Sequence, residues 1–332
     1  MSDLTPGWGI HGNHMCTLFN TTVTAAAFML SASASAGAAQ QADLPARLAG
    51  HVRAIASTEH NTGTPAELEK AALYLESTLA AQGYTVRRDE YVFDGHKVRN
   101  LEVSISNAAP GKQPERIYIV GAHYDSAPGT PGANDNGSGT AAVLELARLL
   151  KGLVPAPGKE LKFVLFVNEE PPYYNGPGMG SRRHARALKA RGANVEAALI
   201  LETIGYYSNA SNSQHYPPGI GAFYPDQGNF IGFVSTLGSM GLVRRTVSAF
   251  RDASPFPAQA LAAPSFVRGV TWSDHTSYNL EGYSAIMITD TATMRYPHYH
   301  TSADTPDKLD YASMSRVVEG MSSVIGAMLQ GR

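Results

Sequence analysis

Apolar and polar positions repeat with two different periods along the chain, and they predict both helices and strands. The segment TPAELEKAALYLESTLAAQGY places Leu68, Ala72 and Leu75 on one face of a helix. Thr64 and Glu67 at its start fit a capping box. TVRRDEYVF and KVRNLEVSIS follow, joined by the turn DGHK, and their alternating character predicts a hairpin.

Short apolar runs alternate with helical stretches through the middle of the chain. The runs are ERIYIVGAH, KFVLFVNEE and AALILETIG, with FIGFVST and SAIMITD as further candidates. NGSGTAAVLELARLLKG, between the first two, has the spacing of a helix. Buried strands that alternate with helices indicate an α/β fold whose largely parallel sheet is covered on both faces. The last segment, YASMSRVVEGMSSVIGAML, predicts a core-packing helix because its opposite face is polar.

The composition fits a globular protein with a sizeable core. Of 332 residues, 43% are hydrophobic and 16% are charged, which excludes a disordered chain. Lys plus Arg is 26 and Asp plus Glu is 28, so the net charge is −2 and we expect no nucleic-acid partner. After the N-terminal segment no apolar run reaches the ~20 residues needed to cross a membrane, so no membrane span is expected.

Cysteine usage narrows the possible metal chemistry. The single cysteine, Cys16, excludes an intramolecular disulfide and Cys-rich metal sites. Any metal in this chain must therefore be held by His, Asp and Glu.

The N-terminal segment has the composition of a removable leader. Residues 1–46 contain no Lys or Arg, and the weakly apolar run TLFNTTVTAAAFML precedes SASASAGAA, which offers small-residue cleavage sites. We predict a signal peptide over residues 1–40, cleavage between about Ser33 and Gln41, and a secreted or periplasmic protein with one domain over residues 45–332. A disordered cytosolic tail is the alternative, and Met15 is an alternative start.

Acids and histidines gather where the predicted strands end. They are His123 and Asp125, Glu169 and Glu170, Glu202, Asp290, Asp135 in the turn PGANDNGSG, and His298, Tyr299 and His300. Ligands bind beyond the carboxyl ends of strands in open α/β sheets, so we expect one shared edge. Adjacent buried acids are costly without a cation, and this number of imidazoles and carboxylates suits one or two zinc ions. Taken singly, each residue also fits a helix cap, an ion pair or a surface loop.

Five blocks carry a family resemblance. GAHYDS, PGANDNGSGTAAVLELARLL, FVNEE, LETIGY and PHYHTSADTPDKL resemble, in order and spacing, the co-catalytic zinc aminopeptidase family, which includes glutamate carboxypeptidase II and the glutaminyl cyclases. The resemblance covers roughly residues 50–330 and favours the secreted bacterial-type aminopeptidase branch. It implies a three-layer α/β sandwich, with a mixed, largely parallel central sheet flanked by helices, that forms one zinc-peptidase catalytic domain.

The resemblance also implies a set of metal ligands. They are His123 and Glu202 for one Zn²⁺, Glu170 and His300 for a second, and Asp135 as the bridge between the two ions. The family often has Asp where this chain has Glu202, and the extra methylene is expected to shift or weaken that ion site. The segment PPYYNGPGMGS after the acid pair also departs from the family's acidic run, so the neighbouring pocket wall is expected to be unusual.

Three further residues resemble the family's catalytic groups. Glu169 corresponds to the general base that activates a zinc-bridging water, and Tyr299 to a phenol that donates to the oxyanion. Asp125 corresponds to the carboxylate that orients the imidazole of His123.

A second zone, WSDHTSYNLEGY, is a candidate for the substrate pocket. Asp274 and His275 are expected to line the pocket for the substrate's terminal side chain, or else to form a hydrogen-bonded loop pair. Aromatic walls can come from Tyr173, Tyr174, Tyr206 and Tyr207, for each of which core packing is the alternative.

The function implied by the resemblance is that of a metallo-exopeptidase, a hydrolase that releases N-terminal amino acids from a peptide substrate. A glutaminyl-peptide cyclotransferase on the same fold and a non-catalytic, receptor-like ectodomain are the alternatives. The intact NDNGSG turn and His123 favour the peptidase over the cyclase. The complete set of ligand types argues against the ectodomain. Side-chain preference and oligomeric state stay open at this level.

Overall fold

The structure, a computed structural model, describes residues 44–331. Its strands are β1 Arg87–Phe93, β2 His96–Ser106, β3 Arg116–His123, β4 Lys159–Phe166, β5 Val195–Leu201, β6 Ile231–Thr236, β7 Ala258–Ala263 and β8 Ala285–Thr289. Its helices are α1 Leu44–Ile55, α2 Pro65–Ala81, α3 Gly139–Leu150, α4 Gly180–Ala190, α5 Met240–Ala253, α6 His275–Leu280, α7 Ala292–Arg295 and α8 Tyr311–Gln330. The predicted leader over residues 1–40 lies outside the described residues.

The eight strands form one mixed sheet in the order β1-β2-β4-β3-β5-β8-β6-β7. Its centre, β4-β3-β5-β8, is parallel throughout, and β6 and β7 are also parallel to each other. Antiparallel pairs join β1 to β2, β2 to β4, and β6 to β8. The predicted mixed, largely parallel α/β sheet is therefore confirmed.

Helices cover both faces of the sheet and complete three layers. On one face, α4 and α6 pack on the strands in a buried cluster that includes Ile119, Phe166, Leu188 and Tyr278. On the other face, α3 contacts β3, β4 and β5, while α8 packs against α3 and α5. The last helix, α8, buries its predicted apolar stripe in that layer, as expected for a core-packing helix. Within residues 44–331, no helix combines the length and apolar character needed to cross a membrane.

The predicted hairpin is present, and the predicted capping box is not. The two residues between β1 and β2, Asp94 and Gly95, both have positive φ (51° and 79°), which suits a tight two-residue hairpin turn. At the start of α2, the hydroxyl of Thr64 donates to the main-chain oxygen of Glu59 at 3.0 Å instead of capping the helix. Glu67 pairs with Lys70, so the helix begins without the expected reciprocal bonds.

Candidate metal and catalytic site

The parallel centre of the sheet brings four strand ends, each followed by or ending in candidate acids or histidines, to one edge. His123 is the last residue of β3 and lies opposite Phe166, the last residue of β4. Glu202 directly follows β5, and Asp290 directly follows β8. Because these strands are parallel neighbours, the residues at their carboxyl ends converge, as predicted.

Asp135 reaches the same place from an irregular turn between β3 and α3. Residues 133–138 are buried, and Asp135 itself leaves helical geometry with φ −110° and ψ 93°. Gly132 opens this turn with φ 71°, and a Cβ there would lie 2.6 Å from the main-chain oxygen of Asp135. Only glycine therefore fits at this position.

The side chains form two groups that share Asp135. In the inner group, Nε2 of His123 lies 3.3 Å from Oε2 of Glu202 and 3.3 Å from Oδ1 of Asp135. In the outer group, Nε2 of His300 lies 3.3 Å from Oε2 of Glu170 and 3.0 Å from Oδ2 of Asp135. The structure thus brings all five predicted ligands together, with Asp135 between the two imidazoles.

The donor set fits a metal ion. His123, Asp135 and Glu170 each offer one ligand atom within 4.8 Å of the others. Among the described residues, Nε2 of His123, Oδ1 of Asp135 and Oε1 of Glu170 are buried and have no hydrogen-bond partner. Buried polar atoms normally have partners, so three converging atoms without a hydrogen-bond partner form the arrangement expected of ligands for a cation. Imidazole nitrogens with carboxylate oxygens are a set that zinc accepts.

The electrostatics of the cluster point the same way. Burial, followed by the charge of Asp135, raises the pKa of Glu170 to about 8. Burial also raises the pKa of Glu202 to about 7. For His300 burial acts downward, but the carboxylates of Asp135 and Glu170 outweigh it and raise the pKa to about 10. The raised pKa values show that the buried carboxyl groups take up protons rather than stay charged beside one another. A divalent cation would replace these protons and stabilise the charged carboxylates.

Glu169 lies beside the inner group. Its Oε2 is 3.8 Å from Nε2 of His123, and burial raises its pKa well above the usual range. The strand that precedes it ends earlier than the predicted run, at Phe166, and Asn168 then adopts a φ of 62°. This turn, rather than the prolines that follow, takes Glu169 and Glu170 out of the extended pattern that would point them to opposite faces.

Asp125 acts on the acid pair as well as on the imidazole. Its two carboxylate oxygens accept the backbone N–H groups of Glu169 and Glu170, each at 3.2 Å. The Nδ1–H group of His123 donates to the main-chain oxygen of Asp125 at 3.0 Å, whereas the carboxylate oxygen lies 3.7 Å away. The predicted orienting contact is therefore made by the backbone of Asp125, and its carboxylate positions the next chain segment.

Two contacts at Glu202 were not found from the sequence. The hydroxyl of Ser273 donates to Oε2 of Glu202 at 2.7 Å, and Nδ2 of Asn136 lies 3.4 Å from the same oxygen. Two side chains therefore hold the carboxylate of Glu202, which is one methylene longer than the Asp expected from the resemblance. The only sequence signal for Ser273 is its place next to the predicted pair Asp274 and His275.

Asp274 and His275 are fully buried at the start of α6. Nε2 of His275 lies 2.8 Å from the main-chain oxygen of Val270, and burial lowers its pKa to about 4. Neither carboxylate oxygen of Asp274 has a hydrogen-bond partner within residues 44–331, and burial raises its pKa to about 7. Neither residue lines the apolar pocket beside the site.

That pocket opens between Glu202 and Tyr299. Its walls are mainly apolar and aromatic and include Tyr224, Phe230, Val234, Leu261, Val270 and Met287, and Gln214, Gln259 and Arg268 also line it. It encloses about 820 Å³, its open mouth included. Tyr299 also stacks on the ring of His300, with centroids 3.9 Å apart, so one residue borders both the pocket and the outer group.

The predicted aromatic walls come from other tyrosines. Tyr216 and Tyr224, stacked 5.6 Å apart, line the pocket, and neither was singled out in the sequence. Tyr207 instead packs edge-to-face on Phe256, and Tyr173 on Phe93. For these two residues packing, the alternative reading, is what the structure shows.

The sequence of this chain matches a peptidase family and several relatives. Residues 100–325 match the model for peptidase family M28. The "uncharacterized protein YfbL" of Escherichia coli (strain K12) is 36% identical over 292 residues, which cover 85% of this chain and 87% of that protein. A "probable leucine aminopeptidase 1" of Trichophyton verrucosum is 27% identical over 81% of this chain and 69% of its own length.

Solved structures share the fold. The LapA aminopeptidase of Legionella pneumophila aligns with a TM-score of 0.69 at 19% identity, over 88% of this chain and 74% of that one. A glutaminyl cyclase of Fimbriiglobus ruber aligns with a TM-score of 0.62 at 21% identity, over 85% and 94%. On the extent of the family match and the similarity to the Escherichia coli relative, this chain belongs to peptidase family M28.

Proposed function

We propose that this protein is a zinc-dependent aminopeptidase that removes N-terminal residues with large apolar side chains from peptides. The observation that carries the proposal is the pair of imidazole–carboxylate groups that share Asp135, with Glu169 beside them. Zinc bound there would lower the pKa of a water molecule and polarise the peptide carbonyl.

The side chains of the site supply the remaining chemistry. Glu169 takes the proton of the attacking water and passes it to the leaving amine. Burial raises its pKa, which suits a carboxyl group that must hold a proton part of the time. The phenol of Tyr299, whose pKa burial also raises, stays protonated and donates to the developing oxyanion.

The apolar pocket supports the side-chain preference. It borders Glu202 and Tyr299, so a residue whose carbonyl lies at the ligands can place its side chain there. Burying a large aliphatic or aromatic side chain contributes roughly 1.5–3 kcal/mol to binding. The relative named as a probable leucine aminopeptidase supports the same preference.

A panel of amino-acid p-nitroanilides tests both parts of the proposal. With zinc present we expect release from leucine and phenylalanine anilides, little from glutamate anilide, and none from N-acetyl-leucine anilide. Ala260→Phe should fill the pocket and shift the preference toward alanine anilide. Leu73→Phe, on the exposed side of α2, is the matched control and should leave the preference unchanged.

The cyclase alternative is tested by adding a peptide with an N-terminal glutamine to the panel. The solved glutaminyl cyclase with this fold motivates the comparison. Cyclisation of an N-terminal glutamine peptide, without release of free amino acids, would overturn the peptidase proposal. Failure of both reactions with zinc bound would favour a non-catalytic role.

We also propose export of the protein, because the leader-like composition of residues 1–40 supports it. N-terminal sequencing of protein from its native host should find a start between about Ser33 and Gln41. An intact Met1 or Met15 on protein from the cytosol would contradict export.

A further inference from the structure

Asp304 is a fully buried acid that holds the backbone of the Asp135 turn. Its Oδ1 accepts the N–H group of Asn134 at 2.8 Å, and its Oδ2 accepts the N–H group of Asp135 at 3.1 Å. The main-chain oxygen of Asp304 accepts a third N–H group of the turn, that of Ala133, at 3.2 Å. Three consecutive amides of the turn therefore bind one residue.

Asp304 also belongs to the segment that carries the outer ligand. It follows His300 by four residues, and its N–H group donates to the main-chain oxygen of Thr301 at 3.1 Å. The hydroxyl of Tyr296, at the start of the segment, donates to Oδ1 of Asp304 at 2.9 Å. Asp304 thus joins the segment of His300 to the turn of Asp135.

This connection fixes the geometry that the two groups share. The carboxylate of Asp135 must face His123 with one oxygen and His300 with the other, and its direction follows from the peptide that Asp304 holds. The turn has no regular helical geometry at Asp135 to hold it there. Residues that orient ligands in this way are worth ~10–100-fold in metal affinity or activity.

A second buried acid makes a less direct contact. Asp290 accepts the side-chain amide of Asn134 at 3.0 Å, the hydroxyl of Thr203 at 2.6 Å and the N–H group of Tyr206 at 2.8 Å. These bonds hold the chain after Glu202, and they reach the Asp135 turn only through a neighbouring side chain. The direct hold on Asp135 belongs to Asp304.

We propose that Asp304 is a positioning residue: it holds Asp135 in register between the inner and outer groups, so that both ions bind in one geometry. This inference rests on the proposed two-ion site but not on the identity of the peptide substrate. Asp304 itself is outside the ligand set, since its carboxylate is occupied by the turn and by Tyr296.

The test compares Asp304→Asn with Asp307→Asn in the full chain. Asp307 is three residues further on and exposed, and among residues 44–331 it pairs only with Thr305 and Lys308, so it controls for loss of a carboxylate in this segment. In Asp304→Asn the side-chain oxygen can still accept one N–H group, but the side-chain NH₂ group faces the other donor. Zinc affinity is measured by chelator competition with the metal alone, and kcat and KM at saturating zinc.

We expect Asp304→Asn to weaken zinc binding by ~10–100-fold. At saturating zinc, kcat should fall and KM should change less than kcat. Asp307→Asn should match the unaltered chain in both measurements. A merely structural role would lower the melting temperature while zinc affinity and the kcat of the folded fraction stay unchanged, and that result would overturn the proposal.

One further variant and the unaltered chain keep the proposal testable. If Asp304→Asn does not fold, Tyr296→Phe removes one donor to the same carboxylate and should weaken zinc binding in the same direction but less; unchanged affinity there would overturn the proposal. If the unaltered chain binds zinc but releases no amino acids, the proposed function fails, while the zinc measurements still decide the role of Asp304.

Discussion

The two halves of the site differ in how firmly the fold holds them. The inner ligands, His123 and Glu202, sit at the ends of neighbouring strands, and the imidazole of His123 is 0% exposed. The outer imidazole, His300, lies on a loop with φ 54° and is 33% exposed. If two ions bind as proposed, we expect the inner ion to be bound more tightly and the outer ion to exchange more readily.

The largest expected effect on activity comes from Glu169, which is proposed as the general base and is a ligand in neither half of the site. Glu169→Gln keeps the size of the side chain but cannot accept a proton from water. We expect kcat to fall by ~10²–10⁴ while zinc content stays the same, as measured by kinetics and metal analysis. If this variant loses zinc instead, Glu169 is a ligand and the division of roles between the adjacent acids is reversed.

Removing one imidazole at a time tests the comparison directly. His123→Ala should abolish zinc binding at the inner site. The loss of zinc affinity should exceed the ~10–100-fold typical of residues that only orient a ligand. His300→Ala should retain the inner ion, and excess zinc should restore part of the activity. Chelator titration measures the zinc dissociation constants of the inner and the outer site. Equal losses in the two variants would show that the halves are not distinct.

A smaller effect is expected from the support of Glu202. Ser273→Ala removes the 2.7 Å bond to its carboxylate, and we expect ~10–100-fold weaker binding of the inner ion only. Thr276 lies in the same segment, and its hydroxyl donates to the main-chain oxygen of Thr271. Thr276→Ala, which removes that bond, is the control. A loss confined to the outer ion would contradict the assignment of Glu202.

The last expected effect comes from the solvent rather than from a substitution, and it is a pH dependence of zinc binding. The metal-free pKa values of Glu170 (about 8) and His300 (about 10) leave both groups largely protonated at pH 7. Ligation removes these protons, so affinity should rise, by at most ~10-fold per pH unit for each proton released, from pH 6 to pH 8. Calorimetry in buffers of different ionisation enthalpy counts the protons released when zinc binds. His300→Ala should release about one proton fewer than the unaltered chain.

The sequence predicted the edge of the sheet at which the site lies because strand ends are visible in it. His123, Glu202 and Asp290 directly end or follow apolar runs, and parallel neighbours bring such ends together. The sheet and the last helix followed from the same patterns. The resemblance, not the spacing, divided the ligands between two ions.

The supporting residues could not be predicted in the same way. Ser273 meets Glu202 across 71 positions, and Asp304 meets Asn134 across 170. No local period encodes such contacts, because each depends on the final arrangement of several elements. The pocket tyrosines were missed for a related reason: in loops without a period, nothing in the sequence separates Tyr216 from Tyr207.

The apolar pocket has an evolutionary consequence. Apart from its rim at Glu202, Thr203 and Tyr299, its walls come from the loop around Tyr216, from β6, β7 and β8, from the segment before α6 and from residues 291–294, none of which supplies a metal ligand. Changes in these walls can alter which terminal residue is accepted while the reacting centre is inherited intact. Substrate preference and catalytic chemistry can therefore diversify at separate rates within this scaffold.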